Sequence, residues 1–319
     1  MLVQIVLTAV GLCLIVFGAD FLVDGASAVA RKAGISEFVI GLTIVGFGTS
    51  CPELVVSVTG AIAGNSDISI GNVVGSNIFN SLLILGLTAV LSPVAITSTN
   101  KKVDIPLTIG VTLLLIVLGM KKTLFGIGAD GISRIEGIIF LILFAGYIIF
   151  CFKNGKSDES PDDAPAKPMS AGKAILYIIL GLGGLIYGGE LFVDSAENIA
   201  HSVGISDKVI AITLLAGGTS LPELATCIVA AAKHKGQLAL GNILGSNVFN
   251  ILLILGCAAT IHPLSFANIN LVDMGVLLLS VLLIFTGAYT GKKNVLDRFD
   301  GVLMLLAEAG YMTYLFVTL

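Results

Sequence analysis

Residues 34–93 and 204–263 are two versions of one sequence, aligned without a gap at a constant offset of 170. About 27 of the 60 aligned positions are identical, far above chance for segments of this length. The identities gather in two polar blocks. One pairs Gly48-Thr49-Ser50-x-Pro52-Glu53-Leu54 with Gly218-Thr219-Ser220-x-Pro222-Glu223-Leu224. The other pairs Gly71-Asn72-x-x-Gly75-Ser76-Asn77-x-Phe79-Asn80 with Gly241-Asn242-x-x-Gly245-Ser246-Asn247-x-Phe249-Asn250. Both blocks lie inside apolar stretches long enough to cross a bilayer. Twinned polar motifs at that depth point to a transporter made of two repeats with a binding site between them.

Composition agrees with a lipid environment. Hydrophobic residues make up 56% of the chain and charged residues 12%, against roughly 25% charge in soluble domains. The mean hydropathy is +1.02. The apolar stretch from Leu2 to about Val29 is too long for a cleaved signal peptide and reads as a first membrane helix. Five cysteines, at 13, 51, 151, 227 and 257, fall in or beside apolar segments without metal-ligand or disulfide spacing, so they read as buried free thiols. No basic patch supports nucleic-acid binding.

A membrane span needs about 20 residues. Ten candidates follow: 2–29, 37–62, 68–91, 103–119, 135–152, 172–199, 208–232, 238–261, 271–290 and 299–318. The fold class is thus an all-α polytopic membrane protein, ten helices in two five-helix repeats, 1–152 and 171–319. Between them, 153–170 is polar, Pro-containing and poor in apolar residues, and reads as a flexible linker. Of the 17 basic residues, only Lys121, Lys122, Arg134 and Lys208 fall on one side. The richer side, which carries the linker, is expected to be cytoplasmic, with both termini outside. Five spans per repeat is an odd number, so the second repeat enters the membrane inverted.

The chemistry sits in the polar blocks. Glu53 and Glu223 fall near the middle of spans 2 and 7, where a charged side chain costs about 2.5–3.5 kcal/mol on the insertion scale. Each follows a proline, which removes a helix donor and clashes with the carbonyl four residues back. Carbonyls near Thr49 and Thr219 are thereby freed. Unwound carbonyls and carboxylates form an oxygen-only cage suited to hard cations. Ser76 and Asn80 share a helical face, as do Ser246 and Asn250, and supply a facing wall. Gly71 and Gly75 allow close helix approach. His201, His234 and His262 lie in loops or at span ends, which disfavours zinc and copper and favours Ca2+ or Na+.

Blander roles weigh against some of these residues. Asn77 and Asn247 also suit interhelical hydrogen bonding. Thr43, Thr213 and Cys51 read as packing residues, and Arg134 and Glu136 as a loop–helix boundary. On spans 1 and 6, Asp20 and Asp24 align with Glu190 and Asp194; these acids are expected to line vestibules that concentrate cations. Gly11, Gly18 and Gly25 recur every seven residues as a smooth stripe suited to sliding. A channel would need a continuous pore, usually from symmetric subunits. A membrane metalloenzyme would want His or paired Asp ligands and a water nucleophile.

The GTSxPE and GNxxGSNxFN blocks resemble the paired alpha-repeats of the cation/calcium exchanger superfamily, and most closely its prokaryotic sodium/calcium exchangers. The resemblance implies a secondary antiporter of the plasma (inner) membrane that exchanges Ca2+ for Na+ by alternating access. It further implies no cofactor, no enzyme activity and no obligatory protein partner, with function as a monomer. Ions would bind at mid-membrane between spans 2, 3, 7 and 8. Glu53 and Glu223 would be the principal ligands. Thr49, Ser50, Thr219 and Ser220 would add oxygens, as would the backbones of Gly46 and Ala216, and Ser76, Asn80, Ser246 and Asn250 would complete the sites. Spans 1 and 6 would slide as a gating pair. Several members of that superfamily carry aspartate where this chain has Asn250, so the site here holds two carboxylates in place of three. Two ionised glutamates neutralise one Ca2+, whereas three Na+ leave the site at +1, so a three-for-one exchange would be electrogenic. Proton coupling or K+ co-transport is the alternative reading.

Overall fold

The computed structural model describes residues 2–154, 169–202, 216–290 and 294–318. Its helices relevant here are α1 (Leu2–Ala33), α2 (Glu37–Thr49), α3 (Cys51–Ile62), α4 (Ser66–Leu91), α5 (Asn100–Gly119), α6 (Arg134–Asn154), α7 (Ala171–Ser202), α8 (Leu221–Ala232), α9 (Gly236–Ile261), α10 (Leu271–Tyr289) and α11 (Arg298–Thr318). Among the described residues, eight of these are long and apolar enough to cross a membrane, and α2 with α3 makes a ninth span bent by 48°. Ten spans are expected from the sequence. Of the seventh, 208–232, only the turn Ala216–Gly218 and α8 are described; residues 208–215 lie outside the described residues, as do 155–168 of the linker.

The bend between α2 and α3 comes from Pro52. Proline offers no N–H, so the ladder cannot run through it, and it settles in the first turn of a new helix. Ser50 at the break sits at φ −82°, ψ 6°. Ser220, before Pro222, takes nearly the same conformation at φ −90°, ψ 7°. Helix starts elsewhere follow ordinary capping. Asn65 Oδ1 accepts from Ile68 N ahead of α4, and Asn270 and Asp273 form a reciprocal capping box on α10.

Burial separates the helices into two tiers. The apolar stretch of α9 is 94% buried and that of α4 72%, whereas α1, α6 and α7 each stand at 22%. Leucines, isoleucines and phenylalanines such as Ile5, Phe17, Ile142 and Leu306 face outward, an exterior suited to lipid and not to water. Hence α4 and α9 form the centre, and their Ser76, Asn80, Ser246 and Asn250 are buried. The ladder of each opens into a π turn, at Asn80–Ile84 in α4 and Asn250–Ile254 in α9. Each turn begins on the asparagine that closes its polar block.

α1 packs antiparallel on α7 along glycines from both helices. A Cβ added at Gly11 would lie 2.8 Å from Phe192 N, at Gly18 2.8 Å from Leu185 N, and at Gly181 2.6 Å from Leu22 N. The stripe expected on span 1 therefore exists and is matched by one on α7. The close approach expected at Gly71 and Gly75 is seen at their counterparts in the second copy. Gly241 and Gly245 of α9 lie against the α2 backbone at Phe38 and Leu42. Among the described residues nothing lies within 4 Å of a Cβ added at Gly71 or Gly75; their counterparts to Phe38 and Leu42, Lys208 and Ile212, lie outside the described residues.

Two short antiparallel ribbons tie loops together, Val94–Ala95 with Val295–Leu296 and Gly131–Ile132 with Leu264–Ser265. Each joins one half of the chain to the other.

Candidate cation site

The α2–α3 break and the Ser220 break carry the two buried glutamates to the same place. Both Glu53 and Glu223 are 0% exposed. Each is held by a serine of the other repeat: Ser220 Oγ donates to Glu53 Oε1 at 3.2 Å, and Ser50 Oγ donates to Glu223 Oε1 at 3.1 Å. From α9, Ser246 Oγ also reaches Glu223 Oε1 at 3.5 Å and the Gly46 carbonyl at 3.4 Å. The Gly46 carbonyl further accepts from Ser50 N at 3.1 Å.

The other carboxylate oxygen of each glutamate is different. Glu53 Oε2 and Glu223 Oε2 are buried and accept no hydrogen bond. The same is true of Ser76 Oγ, Asn80 Oδ1 and Asn250 Oδ1. Leaving a buried polar atom unpaired costs about 1–3 kcal/mol, so five such oxygens on these residues are a large combined penalty for a structural core. A hard cation would relieve it, because it takes oxygen ligands and neutralises carboxylates. Among the described residues, the remaining buried side-chain oxygens of this kind belong to Ser27, Glu37 and Glu308. Among the described residues no group of three or more His, Cys, Asp or Glu side chains comes together, so this set is built of two carboxylates with neutral oxygens.

The threonines are partly engaged elsewhere. Thr49 Oγ1 donates to Val45 O at 3.1 Å and meets Asn242 Oδ1 at 3.2 Å. Thr219 Oγ1 meets Asn72 Oδ1 at 3.5 Å. Ala216 opens the turn Ala216–Gly218, at the position equivalent to Gly46. The structure thus joins Ser220 to Glu53 and, in a second hydrogen-bonded group, Ser50, Ser246 and the Gly46 carbonyl to Glu223, while Ser76, Asn80 and Asn250 carry unpaired buried oxygens.

Sequence reading alone misses the residues behind the ligands. Asn72 Nδ2 donates to the Glu53 carbonyl at 3.1 Å and to Ser57 Oγ at 2.9 Å. Asn242 Nδ2 reaches Cys227 Sγ at 3.4 Å, Cys227 standing where the other copy has Ser57. Both asparagines occur in both copies and share a face with Ser76 and Asn80, or Ser246 and Asn250, at steps of four; that spacing is the signal for them. Asn77 and Asn247 bridge α4 and α9, as an interhelical role requires: Asn77 Nδ2 donates to Asn247 O at 3.2 Å. Thr43 Oγ1 bonds back to Val39 O at 2.6 Å, a packing arrangement; Thr213 lies outside the described residues.

One expectation is overturned. Asp20 and Asp24 are not free to attract cations, because Lys233 Nζ lies 2.7 Å from Asp20 Oδ1 and 2.6 Å from Asp24 Oδ1. The next basic residue, Lys235, pairs with Glu37 at 2.5 Å. The Lys233 pair ties α1, and the Lys235 pair ties α2, to the hairpin between α8 and α9. Glu190 and Asp194 are exposed, and the position matching Lys233 in the first copy is Ala63.

Comparison with known proteins gives the chain's family and fold. The family described as "Sodium/calcium exchanger protein" matches residues 3–153 and 173–317. The antiporter CaxA of Alkalimonas amylolytica is 38% identical over 99% of both chains. The sodium/calcium exchanger MaX1 of Methanosarcina acetivorans is 33% identical over 98% of this chain and 99% of its own. Among solved structures, the sodium-calcium exchanger NCX_Mj soaked with Na+ and Sr2+ superposes with a TM-score of 0.85, at 35% identity and 98% coverage of both chains.

Proposed function

The chain belongs to the sodium/calcium exchanger protein family and is a multi-pass membrane protein, and we propose that it exchanges Ca2+ for Na+ at the Glu53–Glu223 site. The carrying observation is the set of five buried oxygens without a hydrogen bond, on Glu53, Glu223, Ser76, Asn80 and Asn250. Two carboxylates and neutral oxygens balance one Ca2+. The same set loaded with three Na+ bears one positive charge, so a three-for-one cycle moves net charge and responds to voltage.

Alternating access supplies the mechanism. α1 and α7, whose backbones meet at glycines, slide as a pair past the central helices and expose the site to one face and then the other. An inverted relation between the halves makes the two openings equivalent in form. The parallel packing of α2 on α9 and the antiparallel packing of α3 on α4, through Ser57 and Ser69, support that relation. Ca2+ and Na+ bind as substrates with ligands from α2, α3, α4, α8 and α9, including Thr49, Thr219 and the Gly46 and Ala216 backbones. Both termini lie outside, the linker lies in the cytoplasm, and one chain suffices for transport.

The test is radioactive Ca2+ uptake into Na+-loaded proteoliposomes diluted into Na+-free, K+-free buffer, with Glu53→Gln alongside. Uptake driven by the Na+ gradient and lost in the variant is the expected result. Uptake that follows an imposed pH gradient and ignores Na+ would replace sodium by proton coupling, and a requirement for K+ would make it a K+-dependent exchanger. Unchanged uptake in Glu53→Gln would remove the site assignment.

A further inference from the structure

An asparagine amide has two ends of nearly equal shape and opposite chemistry: the oxygen binds a cation and the NH2 repels it. Asn80 and Asn250 therefore serve a cation site only if something fixes which end faces it. Both are fully buried. Asn250 Nδ2 donates to Asn77 Oδ1 at 2.9 Å. Asn77 has its own polarity set by a group that can only accept, since its Nδ2 donates to the backbone carbonyl of Asn247 at 3.2 Å. A carbonyl cannot reverse its role, so Asn77 must offer oxygen to Asn250. Asn250 must answer with NH2, and its Oδ1 is left over as one of the buried unpaired oxygens. The reciprocal arm is looser. Asn80 Nδ2 meets Asn247 Oδ1 at 3.4 Å, and Asn247 Nδ2 donates to Ser81 Oγ at 2.7 Å. A hydroxyl both donates and accepts, so that arm begins on a reversible group. Ser81 corresponds to Ile251 in the other copy, which is why the two arms end differently.

We infer that Asn77 is a positioning residue that turns the Asn250 amide so that its oxygen, and not its NH2, faces the transported cation, with Asn247 doing the same for Asn80 more weakly. The inference rests on the site reading above. It assigns Asn77 a role in affinity that interhelical packing alone does not require. It also favours an amide over a carboxylate at 250: two acceptors would face each other across the Asn77–Asn250 contact unless Asn77 turned and gave up its bond to the Asn247 carbonyl.

A double-mutant cycle in proteoliposomes tests it, because only coupled residues depart from additivity. Asn77→Leu is expected to raise the KM for Ca2+ about tenfold while the maximal rate per folded protein changes less than twofold. Placed on Asn250→Ala, where no amide remains to be turned, it is expected to add less than twofold. Placed on Asn80→Ala, it is expected to add its full factor. A full factor on the Asn250→Ala background, or an unchanged KM in the single variant, overturns the inference. If Asn77→Leu does not yield folded protein, Asn77→Ser, too short to reach Asn250, is read the same way through Ca2+-induced thermal stabilisation in detergent. Failure of the site reading looks different: Asn250→Ala and Glu53→Gln would then both transport normally.

Discussion

Gly245→Ala isolates the geometry that brings α2 to the site. A Cβ at Gly245 would fall against the carbonyl oxygen of Leu42, and 2.7 Å from Leu42 Cα. Carbon atoms rest at about 3.5–4.0 Å, so the two helices must part by roughly 1 Å. Every obstructing atom is backbone, so no rotamer change relieves the overlap. Alanine gains about 1 kcal/mol of helix propensity over glycine. Against this stand about 1–3 kcal/mol of overpacking and the weakened Ser246–Gly46 bond, already at 3.4 Å, with the Ser50–Glu223 bond at 3.1 Å. A hydrogen bond to a charged group contributes about 1.5–3 kcal/mol, so with that bond lost the net loss is roughly 1.5–5 kcal/mol. The expected outcome is a lower melting temperature in detergent together with a KM for Ca2+ raised at least tenfold. Gly110→Ala is the control: it is exposed on α5 with nothing within 4 Å among the described residues, and it should keep wild-type uptake and melt no lower. Wild-type KM and melting temperature in Gly245→Ala would show that α2 does not approach α9 as described.

Three further perturbations follow from particular contacts. Lys233→Ala frees Asp20 and Asp24 and unties α1 from the α8–α9 hairpin; exposed pairs contribute about 0.2–1 kcal/mol each, so turnover should rise by no more than about thirtyfold while Lys233→Arg stays near wild type, and a fall in turnover would refute the tether. Glu308→Met on α11 removes a carboxyl whose two oxygens have no hydrogen-bond partner; relief of about 1–3 kcal/mol should raise the melting temperature, and destabilisation would reveal an interaction that the carboxyl makes. In the loop after α5, Asp130 accepts from Thr123 Oγ1, Thr123 N and Lys122 N, and the Thr123 hydrogen bonds hold its carboxyl below the ordinary aspartate range. A depressed folded value means that its contribution is complete above the unfolded value of about 3.9 and is lost as pH falls through the folded one. Amide protection at Lys122 and Thr123 should therefore exceed that of Asp130→Asn at pH 5, with the difference shrinking as pH falls; equal protection at pH 5 would count against the clamp.

The glutamates, their prolines and the serines beside them were legible from sequence because each signal is local. A charge inside an apolar run, or a missing N–H, is visible in one residue, and the second copy removes coincidence. The crossed pairing of Ser50 with Glu223 and Ser220 with Glu53 was not legible, since it depends on how two breaks 170 positions apart are set against each other. The π turns at Asn80–Ile84 and Asn250–Ile254 leave no mark in apolar periodicity. Asn77 and Asn247 were visible as polar residues at depth, but their polarity follows from what lies across the helix pair: a carbonyl in one arm and the Ser81 hydroxyl in the other. The vestibule expectation for Asp20 and Asp24 failed because it treated acids apart from bases. Lys233 falls on the same side of the membrane in the charge tally and is 209 residues from Asp24.

That pairing bears on how a twofold site serves two faces. The proposed ligands repeat almost residue for residue, so under that proposal ion binding has little reason to differ between the openings. The acids of α1 and α7 repeat as well, but the bases do not: Lys233 and Lys235 stand opposite Ala63 and Asn65. Under the proposed alternating access, the difference in energy between the two open states therefore resides at the edges of the repeats. The partly exposed contacts of Lys233 with Asp20 and Asp24, at about 0.2–1 kcal/mol each, bias a two-state equilibrium by at most about thirtyfold. A bias of that size favours one resting state while leaving the other populated, which is what an exchanger needs, because a lock of 5 kcal/mol or so would hold one state almost exclusively and stop the cycle.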